Sequence, residues 1–175
     1  LSPWDAPRYL WAAIEGAGGL HVIGTEARIE PSLANDWRWL AAVNVPFRDG
    51  YIAWIACRMP DGLSLYTTSE LNSNCKTTRY AKDISAGARV AEPSATLVAF
   101  SGEQGSLLFV GNSTTRTLIT AASLDTLEAD TYKVRLFSTI SNQWEELGGL
   151  GKQAISDGIA IIVSAGGFVL LDISA

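Results

Sequence analysis

A single histidine, two cysteines and one methionine are spread through 175 residues, and charged side chains make up only 18% of them. Each scarcity closes off a class of function. Imidazole catalysis needs a second titratable or nucleophilic group placed beside the ring. His21, in "GGLHVIGTE", has no such group spaced so as to suggest a partner. Cys57 and Cys75 are too few for a disulfide framework. Together with His21 they cannot fill a four-ligand zinc site without carboxylates, and their spacing fits no finger pattern. No metal and no cofactor is expected. The thirteen lysines and arginines are scattered, never in a run, and the net charge is −5. Phosphate backbones are bound by clustered cations, so nucleic acid is not an expected partner.

Long apolar runs are missing too. The uncharged stretch 158–171 falls short of the ~20 residues a membrane-crossing helix needs, and Gly166-Gly167 breaks it. A buried β-hairpin is expected there, not membrane insertion. No G-x-S-x-G elbow, phosphate loop, dinucleotide fingerprint or H-E-x-x-H is present. "SNCK", residues 73–76, matches the Ser-x-x-Lys pattern of some acyl-transferring enzymes. It lacks the companion motifs and a helical context, and reads as a chance match. Asp125, Glu128 and Asp130 form the one acidic concentration, without the regular oxygen spacing of a calcium loop. "NST" at Asn112 is a glycosylation sequon, relevant only outside the cell.

What the chain does have is 47% apolar residues, six tryptophans and abundant turn chemistry. That composition supports a packed core and argues against disorder. The chain starts at Leu1, and "LSPWDAP" reads as a linker, so a domain of a longer polypeptide is expected. Residues 1–19 would lead in, with one short helix over 7–15 between Pro7 and Gly16. Residues 20–175 would form one domain.

From Trp37 to Phe47 the odd positions are all apolar, the mark of a half-buried strand. Asp49-Gly50 is the preferred pair for a two-residue hairpin turn. That turn sets Arg48 opposite Tyr51, Phe47 opposite Ile52, Val45 opposite Trp54 and Val43 opposite Ala56. Trp37, Trp39 and Trp54 then share one face, expected to be core, with Trp37 the likeliest ring to reach solvent. "PDG" at 60–62 extends the pair into a meander. The polar stretch from Leu71 to Ser94 shows no clear period and reads as the main exposed loop, holding one short strand or helical turn. Strands then recur about every ten residues, with turns between them, which indicates an all-β antiparallel sandwich of Greek-key or jelly-roll type. Within it, "LEADTYKVRL", residues 127–136, resembles a tyrosine corner: Asp130 at the bend, and Tyr132 returning its hydroxyl to nearby backbone.

Function is expected on the surface. Trp144 beside Glu145 and Glu146, with Trp37 and Tyr80 as further rings, could stack on a sugar and bond its hydroxyls. Two readings follow. The first is a non-enzymatic recognition and assembly domain, such as the protruding domain of a viral capsid or a similar shell or fibre protein. It would self-associate as a dimer or trimer and engage a cell-surface glycan or receptor, outside the cell or on a virion. The second is a carbohydrate-binding module. A hydrolase-type enzyme is the weakest alternative.

Overall fold

A computed structural model of the protein describes residues 13–24 and 26–175. The chain is nearly all-β and divides into two compact units, Leu1–Arg79 and Tyr80–Ala175. The helix expected over 7–15 lies largely outside the described residues; residues 13–15 are helical and end in a turn.

In the first unit, β1 (Leu20–Ile23) and β2 (Glu26–Ile29) form a hairpin. The meander is β3 (Trp39–Phe47), β4 (Gly50–Met59) and β5 (Gly62–Thr67), as the turn residues require. Two short strands add to the two sheets in parallel: β6 (Asn72–Ser73) on β2 and β7 (Lys76–Arg79) on β5. Leu20, Ala27 and Ile29 from one sheet pack with Val45, Ile52, Trp54, Ala56 and Leu65 from the other.

The register of the β3–β4 hairpin corrects the sequence expectation. Arg48 and Asp49 occupy the turn, Arg48 at φ 53°, and Gly50 opens β4 opposite Phe47. Val45 therefore faces Ile52, not Trp54. A slip of two residues leaves every side chain on its own face, so hydrophobic pattern alone cannot detect it. Further along, Val43 and Asn44 oppose the single residue Ala53, a β-bulge with Asn44 at φ 55°. The extra residue reverses the phase of the distal half-strand. Ala42 faces Trp54, Leu40 faces Ala56 and Trp39 faces Cys57. So Trp39 and Trp54 lie on opposite faces of the sheet, and the expected single tryptophan face does not form.

The second unit holds β8 (Lys82–Asp83), a 3-10 turn (Ser85–Gly87), β9 (Ala88–Val90), β10 (Ala95–Gly102), β11 (Gly105–Asn112), β12 (Leu118–Leu124), β13 (Thr131–Ser138), β14 (Gln143–Gly151), a helix α1 (Lys152–Asp157), β15 (Ile159–Val163) and β16 (Phe168–Ser174). Its sheets are six-stranded, in the order β14-β13-β16-β11-β10-β8, and three-stranded, in the order β15-β12-β9, with antiparallel pairing throughout. This is a β-sandwich. Its core joins Ala99, Leu108, Val110, Val134, Val169 and Leu171 of the larger sheet to Ala122, Leu124, Ile161 and Val163 of the smaller. The stretch read as one polar loop supplies β6 to β9, strands of two to four residues too short to show a period. The hairpin expected around Gly166-Gly167 is absent: β15 pairs with β12, whereas β16 crosses to the other sheet and lies between β11 and β13. Helix α1, which buries Ile155, was not anticipated.

The tyrosine corner is present. The Tyr132 hydroxyl accepts a hydrogen bond from the Ala129 backbone N–H, and Tyr132 and Leu127 are both buried. Asp130 makes the bend without entering the left-handed region, in which Asn44, Arg48 and Asn142 are the non-glycine residues found among the described ones.

Candidate functional site

The six-stranded sheet ends at β14, whose residues Gln143 to Gly149 are all exposed. Strand pairing aligns two rows across the face turned away from the sandwich core, a face whose Phe137, Leu170, Phe109, Val98, Leu107 and Phe100 are themselves buried. One runs Trp144, Phe137, Leu170, Phe109, Val98; the next runs Glu146, Arg135, Asp172, Leu107, Phe100. Aromatic and charged side chains thus meet at one corner of the sheet. Trp144 is 38% exposed. Its ring centroid is 5.7 Å from that of Phe137 at an interplanar angle of 58°, and the Arg135 guanidinium lies 5.0 Å from the Trp144 centroid. Arg135 Nε donates to Asp172 at 3.1 Å, and a second guanidinium nitrogen contacts the same carboxylate oxygen. Asp172 raises the Arg135 pKa above its ordinary value, and the charge of Glu146 adds to the effect. The guanidinium is thus fixed over one face of the indole by an ion pair, a cation–π arrangement.

The structure separates the residues proposed as a sugar platform. Trp144 and Glu146 share a face, but Glu145 pairs with Leu136 and points to the other side, because alternate residues leave a strand in opposite directions. A bulge between Val134 and Arg135, which leaves Leu147 of β14 without a partner, ends the alternation just beyond Glu146. Trp37 precedes β3 in the first unit and is 47% exposed, as expected for the outermost ring of that stretch. Its backbone carbonyl accepts from Arg58 Nε at 3.3 Å. Tyr80 is corrected: it is buried, with its ring centroid 5.9 Å from that of Phe100. Burial, reinforced by the Asp172 charge, pushes its hydroxyl pKa well up. Its ring presents no stacking surface. Trp54 is wholly buried, and its Nε1 is the buried side-chain polar atom without a hydrogen-bond partner among the described residues.

A second feature had no signal beyond alternation. The three-stranded sheet turns Ile119 and Ile162 outward as a cross-strand pair, 80% and 50% exposed, beside exposed Ala160 and half-buried Ala121. No family model, curated protein or solved structure matches the chain.

The remaining sequence features resolve into structural roles. Asn112 is buried; its Nδ2 donates to the carbonyls of Arg116, Val163 and Ser164 at 2.7, 3.1 and 3.0 Å, and its Oδ1 accepts from Thr114. A side-chain nitrogen so committed is closed to a glycan in the folded chain. Ser73 and Lys76 flank the turn between β6 and β7, and Lys76 pairs with Asp61. Asp125 pairs with Arg89. His21 lies exposed on β1 opposite Arg28. Cys57 and Cys75 are free thiols, and burial raises the Cys57 pKa well above its ordinary value. Among the described residues no helix is long and apolar enough to cross a membrane, and no group of histidine, cysteine and carboxylate side chains could hold a metal ion.

Proposed function

We propose that the chain is a recognition and assembly module, of the kind that protrudes from a viral shell or fibre, working through surface contact instead of catalysis. One observation carries this reading: the exposed Ile119–Ile162 pair with Ala160 and Ala121 beside it, on a sheet face where a strand normally places polar residues. Contiguous apolar side chains held open on a regular sheet favour burial against another surface. The ionic groups described above support the same view, since Arg135, Arg89 and Lys76 are each engaged with a carboxylate. Sedimentation equilibrium from low micromolar to near-millimolar concentration tests it. A reversible dimer or trimer is the expected result; a monomer over the whole range overturns self-association as the mode of assembly.

The carbohydrate reading retains one supporting feature, the partly exposed Trp144 ring with Glu146 on the same face. Against it, Arg135 already covers one face of that ring. Titration with a panel of oligosaccharides, followed by tryptophan fluorescence, decides the point. A saturable change that Trp144→Ala abolishes would establish a sugar site.

A further inference from the structure

The sandwich of the second unit ends in four terminal strands, and they differ in one respect. β14 carries Glu145, Glu146 and a bulge; β8 is Lys82–Asp83; β9 carries Arg89. Charges and bulges of this kind keep an open edge from pairing with another chain. β15 has neither. Its sequence is Ile-Ala-Ile-Ile-Val, it pairs with β12 on one side, and no described strand pairs with it on the other. We propose that a second copy of this chain pairs antiparallel with the free edge of β15, with Ile161 on the two-fold axis. The proposal rests on the assembly reading and places the contact at the edge of the sheet that carries that face.

Three observations support this contact, the first bearing on its place and the other two on a second copy as its occupant. The first is charge. Each copy carries a net charge of −5, so two copies repel at most approaches; β15 and its neighbour β12 contain no charged residue. The second is size. With Ile161 on the axis, Ile162 lies opposite Ala160 of the partner subunit, and Ala160 opposite the partner's Ile162. Extending the existing pairings, the outer face gains a row of Ile119, Ile162, then Ala160 and Ala121 of the partner subunit. Large meets small across the new ladder, the condition for side chains to interdigitate. The third is the two ends of the strand. Asp157 lies just before β15. At the other end Asn112 ties the carbonyls of Arg116 and Ser164 together, which sets Arg116 beside the exit of β15. An antiparallel arrangement brings the Asp157 end of one copy to the Arg116 end of the other, twice by symmetry. A parallel arrangement would place like charges together.

The experiment uses the full chain with Cys75→Ser as background, carrying either Ala160→Cys or Ile162→Cys. Each variant alone, and an equal mixture, is treated with oxidised glutathione and run on a non-reducing gel. In parallel, Ile162→Lys is examined by sedimentation equilibrium. A disulfide-linked dimer enriched in the mixture over either variant alone, with the dimer dissociation constant raised at least about tenfold by Ile162→Lys, supports the proposal. Self-linking by one variant alone, at the yield of the mixture, overturns the register. A dimer that neither cross-links nor responds to Ile162→Lys overturns the proposal and leaves the assembly reading intact, because another face must then be in use. A parent chain that stays monomeric overturns both.

Discussion

Gly62 and Gly105 form a matched pair that isolates one packing term. Each is the first residue of a strand after a two-residue turn, Gly62 opposite Met59 and Gly105 opposite Gly102. Their backbones are alike, with φ of 125° and 117°, values that L-residues rarely adopt. Their surroundings differ. A Cβ on Gly62 meets nothing within 4 Å, whereas on Gly105 it would sit 2.3 Å from the backbone oxygen of Ile173 and 3.0 Å from Ser174 Cα. Alanine at either site bears the backbone strain, about 1–3 kcal/mol. At Gly105 it must also displace β16, a strand paired on both sides, which adds about 1–3 kcal/mol by analogy with overpacked cores. Gly105→Ala should therefore cost about 2 kcal/mol more than Gly62→Ala. Urea unfolding followed by circular dichroism measures both, with unchanged slopes confirming that the midpoints report stability. Equal costs for the two would refute the placement of the Ile173 carbonyl over Gly105, and with it the β11–β16 register.

Tyr132→Phe should destabilise the second unit by about 1 kcal/mol, since the Ala129 N–H loses its acceptor; an unshifted denaturant midpoint would remove the energetic role of the corner. Trp54→Ala should cost about 3–5 kcal/mol, as a wholly buried ring leaves a cavity; a native-like unfolding midpoint for this variant would contradict its burial. Cys57 sets a pH dependence. Its folded pKa is raised, so its contribution to stability is intact below the ordinary thiol value of 9.0 and declines as pH climbs above it toward the folded value. Melts from pH 8 to 10.5 should fall more steeply for the parent than for Cys57→Ala. At pH 8 a disulfide reagent should label Cys75 in the native chain and reach Cys57 only after unfolding.

Local signals were readable in the sequence, and long-range ones were not. The recurrence of β10 to β16 about every ten residues was legible because strand-forming segments and the turn residues between them are both local signals. The tyrosine corner was legible for a related reason: the hydroxyl of Tyr132 and the N–H of Ala129 are three residues apart. Strand partners were another matter. Gly166 does sit in a turn, but whether the next strand pairs with β15 or crosses to the other sheet depends on β11 and β13, dozens of residues upstream. Tyr80, between Arg79 and Ala81 in a polar run, read as exposed because nothing nearby in sequence announces Phe100 as its neighbour. Of the candidate site, the Trp144–Glu146 side was visible in the sequence, and Arg135 over the ring was not, since it comes from the adjacent strand. The Ile119–Ile162 pair needed the β12–β15 register before two separate isoleucines became one surface.

The bulge at Val43–Asn44 makes β3 behave as two half-strands held out of step, like a dislocation in a crystal row. Deleting Asn44 would heal the dislocation and make the alternation continuous from end to end. Val43 alone would then oppose Ala53, with Ala42 still opposite Trp54 and Val45 still opposite Ile52, so both halves would keep their faces. Flattening the bulge with Asn44 still in the chain is what would turn one half over, either bringing Trp39 into the layer of Trp54 or expelling Val45 from it. Neither layer has room for that exchange, because Trp54, Ala56 and Ile52 are already buried. The bulge absorbs the extra residue, and in doing so it determines which tryptophan lies in the Val45–Ile52 core.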